Sequence, residues 1–185
     1  MPHDTPILLR PLRVEDDETF ADWATDETFR AHADWTPGLP REEHAMFWRR
    51  LAASPPPELL RLVAEADGEV VGTVDLHGLD EGVRELGYTV GPSRRWGQGY
   101  GTAVARAGLA YAFDALGLET VWAEALSTNH ASVHILERLG MVHDGHGGPG
   151  AFLGVPDRYV RFRMSRTLHA ATRATGPLTQ RLRIP

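Results

Sequence analysis

Apolar positions recur along the chain with two spacings, and where one gives way to the other the elements change. "TPILLRPL" (Thr5–Leu12) reads as a first strand, and "VEDDETFADWATD" as a helix with acids in its first turn, where the macrodipole favours them. "ADWTPGLPREE" is broken by Pro37, Gly38 and Pro40 and reads as loop. In "REEHAMFWRRLAA" (Arg41–Ala53), Met46, Phe47, Arg50 and Leu51 fall at helical spacing before "SPPP" ends the run. Two apolar runs, "LLRLVAEA" and "EVVGTVDLHGL", flank Asp67-Gly68, a strong hairpin signal. "VRELGYTV" (Val83–Val90) is a further strand. The alanine-rich "TAVARAGLAYAFDAL" (Thr102–Leu116) predicts a helix closed by Gly117. "TVWAEAL" (Thr120–Leu126) is a strand, and "NHASVHILERLG" a helix with Asn129 as N-cap and Gly140 as stop. "MVHDGH" and "RYVRFRMSRTL" read as strands joined by a glycine-rich loop, "GGPGAFLGVPD".

Hairpin-linked strands combined with a strand–helix–strand unit predict an α/β (α+β) fold, a mixed sheet with helices on its faces. One domain is expected over residues 1–168. Residues 169–185 show no clear period and read as a tail or crossing arm.

Composition narrows the function classes. The chain has 185 residues, 42% hydrophobic and 24% charged, within the range of globular domains. A net charge of −6 argues against a general nucleic-acid binder, which gains affinity by releasing counterions from phosphates. No apolar run is long enough for a membrane span, and the first residues lack the pattern of a secretory signal. Cysteine is absent, which removes thiolate nucleophiles and cysteine-based zinc sites; a cytoplasmic location is expected. His130 and His134 have the i, i+4 spacing of zinc ligands, but HExxH is missing and no carboxylate stands at the needed offset. No metal is expected.

Chemistry concentrates in "VGPSRRWGQGYGTAV" (Val90–Val104), where Gly97, Gly99 and Gly101 alternate at the start of the predicted helix. A helix start presents amides without intrahelical acceptors, and the dipole adds about half a positive charge there. Glycines admit a ligand close to the backbone, which makes the stretch a candidate pyrophosphate site with Arg94 and Arg95 nearby. A nucleotide P-loop would need G-x-x-x-x-G-K-[ST], and no lysine is present. The dinucleotide pattern G-x-G-x-x-G is not matched either, since the spacing here is G-x-G-x-G.

The hexamer Arg94-Arg95-Trp96-Gly97-Gln98-Gly99 fits [Q/R]-x-x-G-x-[G/A] in full. With "N-x-x-S-x-x-x-L-E-x-L-G-M" downstream, the chain resembles the GCN5-related N-acetyltransferase (GNAT) superfamily, and within it the branch of ribosomal-protein N-terminal alanine and serine acetyltransferases. The resemblance runs from about Pro6 to Leu168. It implies a mostly antiparallel sheet of about seven strands and a splayed parallel pair, Val83–Val90 with Thr120–Leu126. Acetyl-CoA is the implied cosubstrate. Its pantetheine would pair with Tyr88, Thr89 and Val90, and its pyrophosphate would meet Arg94, Arg95, Trp96, Gly97, Gln98, Gly99, Tyr100, Gly101 and Thr102. Asn129 and Ser132 would lie near the thioester, with Asn129 also readable as a plain N-cap.

The implied reaction is direct attack of a primary amine on the thioester in a ternary complex, the amine belonging to a protein N-terminus or a small molecule. Strand alternation puts Glu85, Gly87 and Thr89 on one face, and Glu85 is the leading base, acting through water; a solvated carboxylate is its alternative reading. Asp75 and His77 are secondary candidates. Many members carry a tyrosine acid where this chain has Leu136, so Ser132 is the candidate acid. Ala103 replaces a frequent glutamate. The acceptor pocket implied by the resemblance would use Trp35 as a wall, with Trp23, Phe47 and Trp48 serving the core. Asp34, Glu42 and Glu43 would either draw in a cationic amine or form a solvated face. A non-catalytic acyl-CoA-binding module and a detoxifying acetyltransferase are the alternatives, and a homodimer is compatible with the family.

Overall fold

A computed structural model describes residues 6–175. Seven strands form one sheet: β1 (Leu8–Pro11), β2 (Leu59–Ala66), β3 (Glu69–His77), β4 (Val83–Val90), β5 (Thr120–Leu126), β6 (Val142–Phe152) and β7 (Val155–Ser165). Their order is β1-β2-β3-β4-β5-β7-β6, and only β4 and β5 run parallel. The expected mixed, mostly antiparallel sheet of seven strands is what forms. Asp67 and Gly68 make the β2–β3 turn with φ of 52° and 80°, the positive pair that a two-residue hairpin needs.

Strand alternation gives the sheet two unlike faces. Leu62, Val74, Leu76, Leu86, Val121, Ala123 and Phe162 point to an apolar face and form one core with Val104, Leu109 and Phe113 of the helix after β4. That helix is α4 (Tyr100–Ala110), continued by a π-helical turn at Tyr111–Ala115; Leu136 of α5 (His130–Arg138) joins the same core. The opposite face is largely polar. α1 (Asp17–Trp23), α2 (Glu27–His32) and α3 (Arg41–Ala53) bring Phe20, Trp23, Phe29 and Trp48 onto Val63 of this face as a separate aromatic cluster.

Three segments differ from the sequence reading. The helix expected over Val14–Asp26 ends at Trp23, and Asp26 accepts the Phe29 amide at 3.0 Å as the cap of an unexpected helix, α2. The expected loop Gly147–Asp157 is mostly strand. β6 is the sheet's edge, where Pro149 and the glycines are tolerated, and two register shifts absorb its irregularity. Residues 166–175 form a helix, α6 (Arg166–Thr175), so the boundary expected at 168 falls inside it. Its period was hidden because a histidine takes a core position. His169 is 7% exposed and stacks on Phe113 at 4.7 Å. Thr5 of the expected first strand and residues 176–185 of the expected tail lie outside the described residues. Among the described residues no helix is long and apolar enough to cross a membrane.

Candidate active site

The β4–β5 pairing is short. Val83, Arg84 and Glu85 pair with Thr120, Val121 and Trp122, and there the register ends, although β4 runs on to Val90 and β5 to Leu126. The two strands diverge into a V, and the main-chain groups of β4 beyond Glu85 have no strand partner on that side. The wide end of the V points toward the segment that holds the glycines.

That segment is built by its own hydrogen bonds. Ser93–Arg95 form a short 3-10 turn, after which the Trp96 indole Nε1–H donates to the Val90 carbonyl at 2.7 Å. The Gln98 amide donates to the Arg94 carbonyl at 2.7 Å, closing the loop. Gly99 is the N-cap of α4 with φ 91°, and Gly97 has φ 74°. A Cβ on Gly97 would meet nothing within 4 Å. Glycine is needed there for its backbone angle, and open space lies above it. At Gly101 the missing side chain instead makes room for Ile135, whose Cδ1 would be 2.7 Å from a Cβ. α4 and α5 therefore pack closely where the V opens.

The arginines divide their work. Arg95 is paired with Glu69 at 2.7 Å and lies over the Tyr100 ring at 5.8 Å, while its buried Nε has no partner. Arg94 is exposed and makes no ion pair among the described residues. Across the V, Asn129 caps α5, its Oδ1 accepting the Ser132 amide at 3.2 Å. The Tyr88 hydroxyl donates to the Ser132 carbonyl at 3.3 Å. Burial pushes the Tyr88 phenol up to about 12, so it keeps its proton. Sequence reasoning gave Tyr88 a main-chain role alone; an inward-facing tyrosine opposite a capped helix start was the signal available. Leu136 is 1% exposed and belongs to the core.

Glu85 stands at the last parallel pair, opposite Trp122 on one side and His77 on the other. Among the described residues it makes no hydrogen bond or ion pair. Burial raises its pKa above the ordinary glutamate value and Glu124 adds to this, while His77 and Arg161 oppose it. Glu124 is paired with Arg161 at 2.9 Å, and Arg161 lies over Trp122 at 4.7 Å. The register would have disclosed Glu124, since it shares the Glu85 face of β5. Asp75, a secondary candidate, is held by Arg61 through two hydrogen bonds of 2.6 and 2.5 Å.

A cleft of about 310 Å³ opens between α1–α3 and the polar face, reaching Thr89 on β4. Trp35 lines it. Phe47 is 55% exposed at the mouth instead of serving the core, while Trp23 and Trp48 both belong to the aromatic cluster and line the cleft. Glu42 is not among the lining residues. His32 ties the two sides of the site, with its ring 4.9 Å from Trp96 and 5.4 Å from Phe152. His130, His134, His143 and His146 are exposed, and among the described residues no three histidine or carboxylate side chains converge as a metal site.

Residues 7–142 match the family described as Acetyltransferase (GNAT) domain. The chain belongs to the GNAT acetyltransferases. Two proteins of Bacillus subtilis (strain 168) are similar to part of it. YoaA, named as an uncharacterized N-acetyltransferase, is 33% identical over 79 residues, 42% of this chain and 44% of its own length. YdaF, named as a candidate ribosomal N-acetyltransferase, is 34% identical over 89 residues, 47% and 48% of the two chains. The similarity thus spans just under half the length of each relative. Among solved structures, a spermidine N-acetyltransferase from Vibrio cholerae in complex with CoA and spermine superposes with a TM-score of 0.74 at 18% identity, covering 89% of this chain and 98% of that one. A Bacillus anthracis GNAT acetyltransferase gives 0.71 at 17%, covering 88% and 96%. These two share the fold. The resemblance to this superfamily read from the chain's motifs holds.

Proposed function

We propose that this protein transfers the acetyl group of acetyl-CoA to a primary amine in a ternary complex, and that it works in the cytoplasm. The observation that carries this is the V between β4 and β5 beside a glycine-lined helix start, with open space at Gly97. An extended pantetheine arm fits a strand edge, and a pyrophosphate fits amides at an α-helix start. The residues toward the coenzyme are the main chain of Tyr88, Thr89 and Val90, the segment from Arg94 to Thr102, and Asn129. Arg94 supplies an available charge. Bound acetyl-CoA would supply an activated thioester.

The remaining chemistry belongs to the chain. An ammonium group must lose a proton before it can attack, and Glu85, with its raised pKa, is suited to take that proton through water. Ser132, at the start of α5, is the hydroxyl proposed to return a proton to the leaving sulfur, and the Tyr88 phenol beside it is a second proton-bearing group. No covalent enzyme intermediate is required.

A second reading is a non-catalytic acyl-CoA-binding module, favoured by the core leucine at position 136 where many members carry a tyrosine acid. Thiol release from acetyl-CoA, measured across amines and peptides, separates the two. Turnover with any acceptor supports the transferase; tight coenzyme binding without turnover supports the module. Gly99→Glu should abolish coenzyme binding in calorimetry while the variant remains folded, and unchanged affinity would remove the pyrophosphate from the start of α4.

A further inference from the structure

The cleft beside β4 is layered. Its floor is polar and sheltered: Thr73, 4% exposed, faces Thr89 across the β3–β4 pairing, on the stretch of β4 that has left β5. Its middle is aromatic, with Trp35 lying 5.5 Å from Trp48. Its mouth is acidic and apolar together, with Asp34 and Glu43 exposed beside Phe47.

Charges in the cleft do not cancel. Asp34 and Glu43 make no ion pair among the described residues. Arg61, the one arginine or lysine lining the cleft among the described residues, is committed to Asp75 and lies over Trp48 at 5.0 Å. His44 also lines the cleft, stacked on Trp35 at 5.7 Å, with an Nε2 that has no partner. Burial and the charge of Arg30 lower its pKa, against the pull of Glu43, so it adds no positive charge at neutral pH. Arg30 itself does not line the cleft and donates to the Ala24 carbonyl at 3.0 Å. A ligand amine reacting at the floor leaves both mouth carboxylates uncompensated. The exposed ring of Phe47 gains cover only if something apolar lies against it.

We propose that the acceptor is a small diamine, in which a compact apolar body of about one ring separates the reacting amine from a second cationic group. The reacting amine sits at Thr73 and Thr89, about 13 Å from Glu85 along the same face of β4, so its proton reaches Glu85 along a chain of waters. The apolar body lies among Trp35, Phe47 and Trp48, and the second ammonium meets Asp34 and Glu43, where carboxylates and aromatic faces both attract it. The volume stands at the lower edge of the roughly 300–1,000 Å³ of small-molecule pockets, which favours a compact acceptor. This inference rests on the acetyl-transfer reading of the same site.

The test compares xylylenediamine with benzylamine, which differ by one aminomethyl group, through kcat/KM for thiol release from acetyl-CoA. The wild-type protein should prefer the diamine by about threefold to tenfold, the range expected of two exposed carboxylate–ammonium contacts. That ratio should fall to about one in the double variant Asp34→Asn, Glu43→Gln, and it should shrink as salt is raised. Asparagine suits position 34, where φ is 53°. Equal kcat/KM for the two amines in the wild type, or a preference that survives in the double variant, overturns the proposal. Turnover of peptide N-termini with neither amine accepted also overturns it and leaves acetyl transfer standing. Coenzyme binding without thiol release on any acceptor removes both readings.

Discussion

The indole of Trp96 donates to the carbonyl of Val90 at 2.7 Å, so the glycine loop is fastened to the strand that leads into it. The same ring meets His32, which meets Phe152. Glycine loop, second helix and edge hairpin are thereby held at one point. Trp96→Phe keeps a ring but loses the donor, and a hydrogen bond of this kind contributes about 1 kcal/mol. CoA affinity should fall by about threefold to tenfold in calorimetric titration. Unchanged affinity would show that the fastening does not set the shape of the loop.

Gly97 and Gly145 form a matched pair, with φ of 74° and 86° and open space where a Cβ would go. Alanine at either position should destabilise the protein by about 1–2 kcal/mol through backbone strain alone. Only Gly97→Ala should also weaken CoA binding, by about tenfold or more. Denaturant melts and calorimetry on the two variants check both halves of the expectation.

Glu85→Gln should lower kcat by about 100-fold, the lower end of the range for a positioned base, with little change in KM for acetyl-CoA. The pH profile offers a finer check. Because burial and Glu124 raise the Glu85 pKa, the acid limb of kcat/KM should lie above that of an ordinary glutamate. Glu124→Gln removes the repulsion and frees Arg161, and both changes move the limb to lower pH. A limb that stays in place in this variant would exclude Glu85 as the titrating group.

His169 is buried against Phe113, and burial is the largest influence lowering its pKa; Asp114 opposes this, while Arg173 and Arg166 assist. The unfolded chain therefore binds a proton at this position more readily than the folded one. Stability is intact above the unfolded histidine value of 6.5 and declines as pH falls below it, until the folded group also protonates. Thermal melts from pH 8 to pH 5 should show this decline, and His169→Phe should reduce it. Equal pH dependence in the two proteins would place the acid sensitivity elsewhere, for example at His44, whose pKa is lowered as well.

Local signals carried the central half of the fold in the sequence. The Asp67-Gly68 turn, the strand before the glycines and the helix after them are local features, and each appears where the pattern predicts it. Edge strand β6 and helix α6 were hidden for the opposite reason. Their residues are set by what they touch: glycines at 147 and 150 lie against Tyr159, and a histidine fills a core position against Phe113. The proposed donor half of the site was legible because a backbone site leaves its mark in glycine spacing. The proposed acceptor half depends on side chains from α1, the α2–α3 loop, α3, β2, β3 and β4 meeting in space, and Phe47 could not be told from a core residue by its period.

The sheet is mechanically two plates. One has four strands, β1 to β4, and the other three, β5, β7 and β6; along the seam only three residue pairs join them. The seam is an internal edge, with strand backbone left open inside the molecule instead of at its rim. A linear ligand lying along it, as the proposed pantetheine arm does, would act as an eighth strand and stiffen the molecule as it binds. The amides of Leu86–Val90 that face the seam, alternating with those bonded to β3, are then the natural reporters of occupancy, slowing their exchange with solvent as the two plates become one.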